Sequence, residues 1–132
     1  MAERRRALLL LAVGLSLLTC CGSEGDSLTG TWTGAVRDIL GGNGGATFNF
    51  SQSGSDLAGT WDVIFTLTSR FNTGGTLTGT VTGDSASATL ASSGPCSYSL
   101  TATRSGDRIQ GSYSATGCNV VQTGTLDLER RP

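Results

Sequence analysis

The sequence predicts an all-β protein: a single eight-stranded antiparallel up-and-down β-barrel that follows an N-terminal helical signal peptide. Three observations lead to this fold class. Apolar and polar residues alternate from about residue 30 to the C-terminus, a pattern typical of strands with one buried and one solvent-facing side. A short motif, apolar-x-Gly-Thr/Ser-apolar, recurs along this region. Short connections rich in Gly, Ser and Asp separate the alternating segments and suit hairpin turns.

The first residues have the features of an export signal. Arg4, Arg5 and Arg6 precede an uninterrupted run of apolar and small residues from Ala7 to Leu18. This run is shorter than the roughly 20 residues of a transmembrane helix and predicts a secretory signal peptide. Residues 1–20 are therefore predicted as signal, 21–28 as a tether and 29–132 as the barrel domain.

Two adjacent cysteines, Cys20 and Cys21, follow the apolar run, and a cysteine at this position indicates a particular class of export signal. The arrangement of Leu, small residues and Cys resembles the bacterial lipobox, and the resemblance implies that a cysteine is lipidated after cleavage. Cys21 fits better because Leu18 then lies three positions before it, and Cys20 is the alternative. The expected location is the cell envelope, with the chain held by a lipid anchor on the non-cytoplasmic side of a membrane.

Composition narrows the function classes. Without the leader, six arginines face nine acidic residues, a net charge of −3, and the arginines are scattered. A nucleic-acid partner is not expected, because that surface needs clustered positive charge. The chain has no His and no Lys, so a serine nucleophile would lack its usual base. We expect no enzymatic activity and no cofactor.

Eight segments carry the period-two alternation. Their inward residues are Trp32, Gly34 and Val36; Ala46, Phe48 and Phe50; Leu57 to Leu67 at alternate positions; Leu77, Gly79 and Val81; Ala86, Ala88 and Leu90; Tyr98, Leu100 and Ala102; Ile109, Gly111, Tyr113 and Ala115; and Gly124, Leu126 and Leu128. Inward glycines favour barrel closure because they let strands bend sharply. The strands are about seven residues long, shorter than the 9–11 residues of membrane strands, and aromatic girdles are missing. The sequence thus favours a water-soluble barrel.

Two cysteines remain in the barrel domain. Cys96 precedes strand six and Cys118 follows strand seven, and these strands form a hairpin that turns near residues 105–106. In an oxidising compartment such a pair predicts a disulfide. A metal site is not expected, because the mature chain offers no further thiol or imidazole ligands.

Two segments resemble known barrel families. Leu28-Thr29-Gly30-Thr31-Trp32 and the stretch from Gly54 to Trp61 resemble avidin-type and lipocalin-like (calycin-type) barrels, which have Gly-x-Trp in their first strand. The resemblance implies an eight-stranded meander. It departs at Thr33-Gly34-Ala35, where avidin-like proteins carry an Asn-bearing stretch for biotin. Biotin binding is therefore not expected.

The candidate binding residues form two groups. Trp32, Trp61, Tyr98 and Tyr113 are predicted to face inward, either as an aromatic ligand pocket or as core filling. Ile39 and Leu40 in a loop over residues 37–45, and Phe71 in a loop over residues 69–75, are candidate contact residues; packing over the barrel end is the alternative. These loops and the disulfide are expected at the end opposite Leu28 and Leu128, away from the membrane.

Three functions remain open. The first is a non-enzymatic envelope lipoprotein whose barrel binds a small or apolar ligand. The second is a protein-interaction module, for example a hydrolase inhibitor acting on an envelope protein, although the signature residues of known inhibitor barrels are missing. The third is a purely structural surface protein. An internal pocket would favour the first function, and a packed interior with exposed apolar loops would favour the second.

Overall fold

The alternating segments form eight strands in the computed structural model, which describes residues 27–132. The strands are β1 (Gly30–Asp38), β2 (Gly42–Ser53), β3 (Asp56–Phe65), β4 (Thr73–Thr82), β5 (Ser85–Ser92), β6 (Ser97–Ser105), β7 (Arg108–Thr116) and β8 (Thr123–Arg130). Each strand pairs antiparallel with its neighbour in sequence, and β1 pairs with β8, so the sheet closes. The predicted fold class is confirmed for this part of the chain, although the strands have 8 to 12 residues and are longer than the roughly seven predicted. The predicted signal peptide and both candidate lipidation cysteines, Cys20 and Cys21, lie outside the described residues.

Three of the connections are two-residue turns that begin with glycine. Gly54, Gly83 and Gly106 have φ angles of 60°, 59° and 62°, whereas the residues that follow them do not have positive φ. A glycine with positive φ in the first central position is the requirement of a type II′ turn, whose twist matches that of the flanking strands. These glycines explain why the chain reverses within two residues.

Apolar side chains fill the barrel interior. The buried set comprises Leu28, Trp32, Val36, Ala46, Phe48, Phe50, Leu57, Trp61, Val63, Phe65, Leu77, Val81, Ala88, Leu90, Tyr98, Leu100, Ile109, Leu126 and Leu128. Leu28, which the sequence assigns to the tether, is 3% exposed and is part of this core. Burial of this apolar surface is the main favourable contribution to folding.

The two ends of the barrel differ. The end that carries residues 39–41, 66–72, 93–96 and 117–122 is called the loop end. The opposite end, with the three two-residue turns, Leu28 and the end of β8, is called the terminal end. The predicted separation is confirmed, since Cys96 and Cys118 lie at the loop end and Leu28 and Leu128 at the other.

Two predicted loops are shorter than the sequence suggested. β1 continues to Asp38 and β2 begins at Gly42, so the predicted loop over residues 37–45 is a three-residue turn. The glycines are there for space: a Cβ on Gly41 or Gly44 would lie within 3 Å of the Phe65 ring. Likewise, the predicted loop over residues 69–75 ends earlier, because β4 begins at Thr73.

Candidate functional site

The loop half of the interior contains a row of aromatic rings. Phe48 stacks on Trp61 with ring centroids 6.5 Å apart, Trp61 meets Tyr98 edge-on at 5.7 Å, and Tyr98 meets Tyr113 edge-on at 5.8 Å. Such edge-to-face contacts add to the stabilisation from burial. Three of the four predicted pocket aromatics are thus brought together.

The row borders a void of about 20 Å³ that is also lined by Phe65, Phe71 and Gln122. A void of this size holds about one water molecule, whereas pockets for small ligands measure roughly 300–1,000 Å³. A second void, in the terminal half, measures about 10 Å³. The side chains therefore pack the interior. Binding of a ligand by these aromatic residues stays a prediction.

Trp32 lies apart from the other predicted pocket residues. Its ring is fully buried, its Nε1 donates a hydrogen bond to the Leu28 carbonyl at 2.9 Å, and the Arg130 guanidinium lies 4.4 Å from its ring centroid. Arg130 also donates to the carbonyl oxygens of Ser27 and Thr29, each at 2.8 Å. Trp32 therefore helps to fix the N-terminal segment to β8.

A buried carboxylate, which the sequence analysis missed, closes the loop end of the interior. Asp38 is 7% exposed, and Gln122, its neighbour, is 6% exposed. The carboxylate accepts hydrogen bonds from the Tyr113 hydroxyl and from Gln122 Nε2. It also accepts from the backbone N–H groups of Leu40 and Gly41, both at 2.8 Å. Four donors compensate the burial of the charge.

The network continues to the aromatic row. The Tyr98 hydroxyl donates to Gln122 Oε1 at 3.2 Å. We call Asp38, Tyr98, Tyr113 and Gln122 the Asp38 network. It joins the β1–β2 turn to β6, β7 and the β7–β8 connection. Strand parity is the sequence signal that could have found it: Asp38 follows Trp32, Gly34 and Val36 at every second position, and Gln122 precedes Gly124 in the same way.

Burial and the Asp38 carboxylate disfavour ionisation of both tyrosines. Desolvation raises the pKa of Tyr113 far above its usual value, and the hydrogen bond to Asp38 raises it further. Desolvation also raises the pKa of Tyr98, with a smaller effect from the Asp38 charge. Both hydroxyls are therefore held neutral, as donors.

Of the six exposed large apolar side chains of residues 27–132, five lie in the connections of the loop end, and the sixth, Ile64, is the penultimate residue of β3 and lies next to that end. The six are Ile39, Leu40, Ile64, Leu67, Val120 and Val121. Their exposure reaches 90% at Leu67 and 79% at Val121. We call this set the apolar rim. The predicted contact residues Ile39 and Leu40 belong to it, whereas Phe71 is half-buried and packs against the core. The prediction that Leu67 faces inward is wrong, because β3 ends at Phe65 and Leu67 lies in the loop that follows. The sequence analysis missed Val120 and Val121.

A disulfide holds the loops beside the rim. Cys96 and Cys118 are bonded, with their Cα atoms 5.1 Å apart, which confirms the prediction. The bond joins the β5–β6 and β7–β8 connections. The loop with Val120 and Val121 is therefore tied on one side by the disulfide and on the other by Gln122 and Asp38.

The wall between the two ends is covered with hydroxyl groups. One row crosses five strands through the paired residues Thr80, Ser87, Thr101, Ser112 and Thr125. The terminal end is charged instead and contains three ion pairs, Arg104 with Asp84, Arg108 with Asp127 and Arg130 with Asp107. Within residues 27–132, the apolar rim therefore differs in chemical character from the hydroxyl-covered wall and from the charged terminal end.

Within residues 27–132, no group of three or more His, Cys, Asp or Glu side chains is placed to hold a metal ion. The same range contains no helix with the length and apolar character needed to cross a membrane.

Comparison with known proteins adds no relative: no protein-family model, no curated protein and no solved structure matches this chain.

Proposed function

We propose that this chain is a non-enzymatic envelope lipoprotein that binds another extracytoplasmic protein through the apolar rim. One observation carries the proposal: the six exposed large apolar side chains of residues 27–132 gather at one end of a barrel whose interior is filled. Exposed apolar side chains that gather in one region commonly mark an interaction site, and loops at one end of a rigid scaffold commonly carry function.

The packing of the interior favours protein binding over ligand binding. A void of about 20 Å³ would have to enlarge more than tenfold to accept a small ligand. The rim, in contrast, already presents Ile39, Leu67 and Val121 to solvent. The Asp38 network and the disulfide hold its loops in place, and preorganised loops lose less entropy on binding.

The proposed anchor and the rim lie at opposite ends. The segment that leads back to Cys20 and Cys21 leaves from the terminal end, where the backbone N–H of Leu28 donates to Gln52 Oε1 at 2.8 Å. An extended tether over residues 21–28 would reach about 25 Å. The rim of this calycin-type barrel would then face away from the membrane that holds the anchor.

Photo-crosslinking in the native envelope tests the proposal. A benzoylphenylalanine at position 67, in the rim, is expected to give a discrete adduct with a second protein. The same probe at the exposed position 82, at the terminal end, is the matched control. The adduct should disappear when Ile39 and Val121 are changed to serine. Equal adducts from both positions, or none from position 67, would reject the proposal.

Mass spectrometry tests the anchor. The membrane-fraction protein should begin at Cys21 or Cys20 and carry a diacylglyceryl group. An unmodified N-terminus in the culture medium would contradict the anchor and leave the rim untouched.

A second candidate function, binding of a small apolar ligand, is favoured by the position of Phe71. This half-buried side chain belongs to the longest connection, residues 66–72, and borders the aromatic void. Its displacement would open the void to solvent. A shift of the tryptophan fluorescence on addition of toluene, which does not emit in the tryptophan range, in a Phe71→Ala variant would support this candidate. An unchanged spectrum would count against it.

A further inference from the structure

The arginines of the two ends differ in their pairing. At the terminal end, Arg104, Arg108 and Arg130 each form an ion pair. At the loop end, Arg37 and Arg70 are exposed, and no carboxylate of residues 27–132 lies within ion-pair distance of either. The loop end therefore carries two uncompensated positive charges.

Both arginines border the apolar rim. Arg37 comes two residues before Ile39, near the end of β1, and its cross-strand partners are the uncharged Asn43 and Thr125. Arg70 lies in the same connection as Leu67, and its guanidinium is 5.6 Å from the centroid of the Phe71 ring. Stacking on an aromatic ring orients the guanidinium and leaves its N–H donors available.

The acidic residues near them do not neutralise this edge. Asp127 lines the same surface groove as Arg37, but its carboxylate is already paired with Arg108. Asp38 is buried, and its carboxylate already accepts four hydrogen bonds. Asp62 is exposed, but it pairs with Thr47, four residues further along β2 than Asn43. Four residues of a strand correspond to about 13 Å, more than a Debye length in physiological salt, so Asp62 is screened from Arg37. Asp62 also forms no ion pair with Arg70.

We infer that the partner surface is an apolar patch bordered by carboxylates, with Arg37 and Arg70 as the residues that select it. The inference rests on the proposed function. Arg is enriched in protein interfaces, and complementary charge at the edge of an interface sets specificity and association rate. A second copy of this chain does not supply that complement, because a symmetric rim-to-rim contact would bring arginines together.

Peptide selection on the full chain tests the inference. The chain is reconstituted in nanodiscs of phosphatidylcholine, and a random twelve-residue peptide library on phage is the probe. We expect enrichment of peptides that combine aromatic or aliphatic residues with Asp or Glu. Their affinity should fall about tenfold in an Arg37→Gln, Arg70→Gln variant and should weaken as salt is raised. Arg131→Gln removes one exposed positive charge at the terminal end; it is the control for the single changes Arg37→Gln and Arg70→Gln and should leave affinity unchanged.

The outcomes separate the two proposals. Peptides that need Ile39 and Val121 but are not acidic, and that bind the double arginine variant equally well, would overturn the inference and keep the proposed function. Failure to enrich any rim-dependent peptide would overturn both. Rim-dependent binding to phosphatidylserine vesicles, or dimerisation abolished by Ile39→Ser, would also overturn the inference by identifying another occupant.

Discussion

At the scale of single residues, the carboxylate of Asp38 shows how a polar group is accommodated at the closed end of an apolar barrel. A buried charge is costly unless its hydrogen-bonding capacity is used. Here two backbone N–H groups, one amide and one hydroxyl donate to it. Within residues 27–132, every buried side-chain nitrogen and oxygen has a partner. Removing one member of the network would leave others without partners.

Replacing Asp38 by alanine is therefore expected to destabilise the protein by about 3 kcal/mol, because Tyr113 and Gln122 would lose their acceptor in a buried site. Tyr113→Phe removes one donor and keeps the ring, so it should cost only about 1 kcal/mol. Urea unfolding of both variants and of the parent measures these differences. Equal stability of the parent and the Asp38→Ala variant would contradict the assignment of the network as stabilising.

The tyrosines predict how stability depends on pH. The pKa of Tyr113 is raised in the folded state, chiefly by burial, so the unfolded chain loses this proton first as pH rises. The unfolded state then binds fewer protons than the folded state, and the free energy of unfolding falls above about pH 10. This contribution is fully present below pH 10. A Tyr113→Phe variant should show a shallower fall between pH 10 and 12, measured by urea unfolding at each pH. An identical slope would contradict the prediction.

At the scale of elements, close strand contacts and one covalent bond shape the barrel. Gly79 of β4 lies so near β5 that a Cβ would come within 2.0 Å of the Ser87 carbonyl oxygen. Gly45 of β2 is different, since the nearest atom to its Cβ position is 3.9 Å away. The disulfide spans 22 residues of sequence and joins two loops of the loop end. Each feature predicts a distinct effect of substitution.

Gly79→Ala is expected to destabilise the barrel by about 2 kcal/mol, because the added methyl group would force β4 and β5 apart. Gly45→Ala, the matched control, adds the same group in open space and should change stability by less than about 0.5 kcal/mol. Thermal or urea unfolding of the two variants makes the comparison. Equal effects would show that the spacing of β4 and β5 is not what requires glycine at position 79.

Loss of the disulfide is expected to cost about 3 kcal/mol, the chain-entropy value for a loop of this size. A Cys96→Ser, Cys118→Ser variant, unfolded in urea beside the oxidised parent, provides the measurement. Loosening should concentrate at residues 117–122, so hydrogen exchange there should rise more than in β2 and β3. Free-thiol titration of the unfolded, unreduced chain is the control, and two reactive thiols beyond Cys20 and Cys21 would contradict the bond.

Strand-level features were the part of the structure most open to prediction. Alternation placed all eight strands, and hairpin geometry predicted the Cys96–Cys118 bond, because both depend on local periodicity and turn length. The glycines of residues 41–45 misled the prediction: glycine marks loops as well as strands that pass close to a large side chain, here Phe65. The rim was predicted only in part, because the exposure of Leu67 and Val121 depends on the conformation of their loops, which is determined by packing against the folded barrel.

At the scale of the whole molecule, the barrel has opposite chemical character at its two ends. The terminal end holds three ion pairs and binds the N-terminal segment through Arg130 and Gln52. The loop end holds the apolar rim, two unpaired arginines and a buried polar network. Hydroxyl side chains cover the wall between them. This difference between the two ends is what the proposed function requires, namely attachment at one end and a partner bound at the other.

The proposed attachment through Cys20 or Cys21 predicts the orientation of the barrel on a membrane. Nine-residue strands tilted by about 40° give a barrel roughly 25 Å tall. Spin labels on Leu67→Cys, at the loop end, and on Thr82→Cys, at the terminal end, should differ by about that distance from the bilayer. In vesicles that carry the lipidated protein and a nickel-chelating lipid, the label at position 82 should relax faster. The unsubstituted chain, treated with the same reagent, corrects for any label on the leader cysteines. Faster relaxation at position 67 would place the rim on the membrane and contradict the orientation on which the proposed protein contact depends.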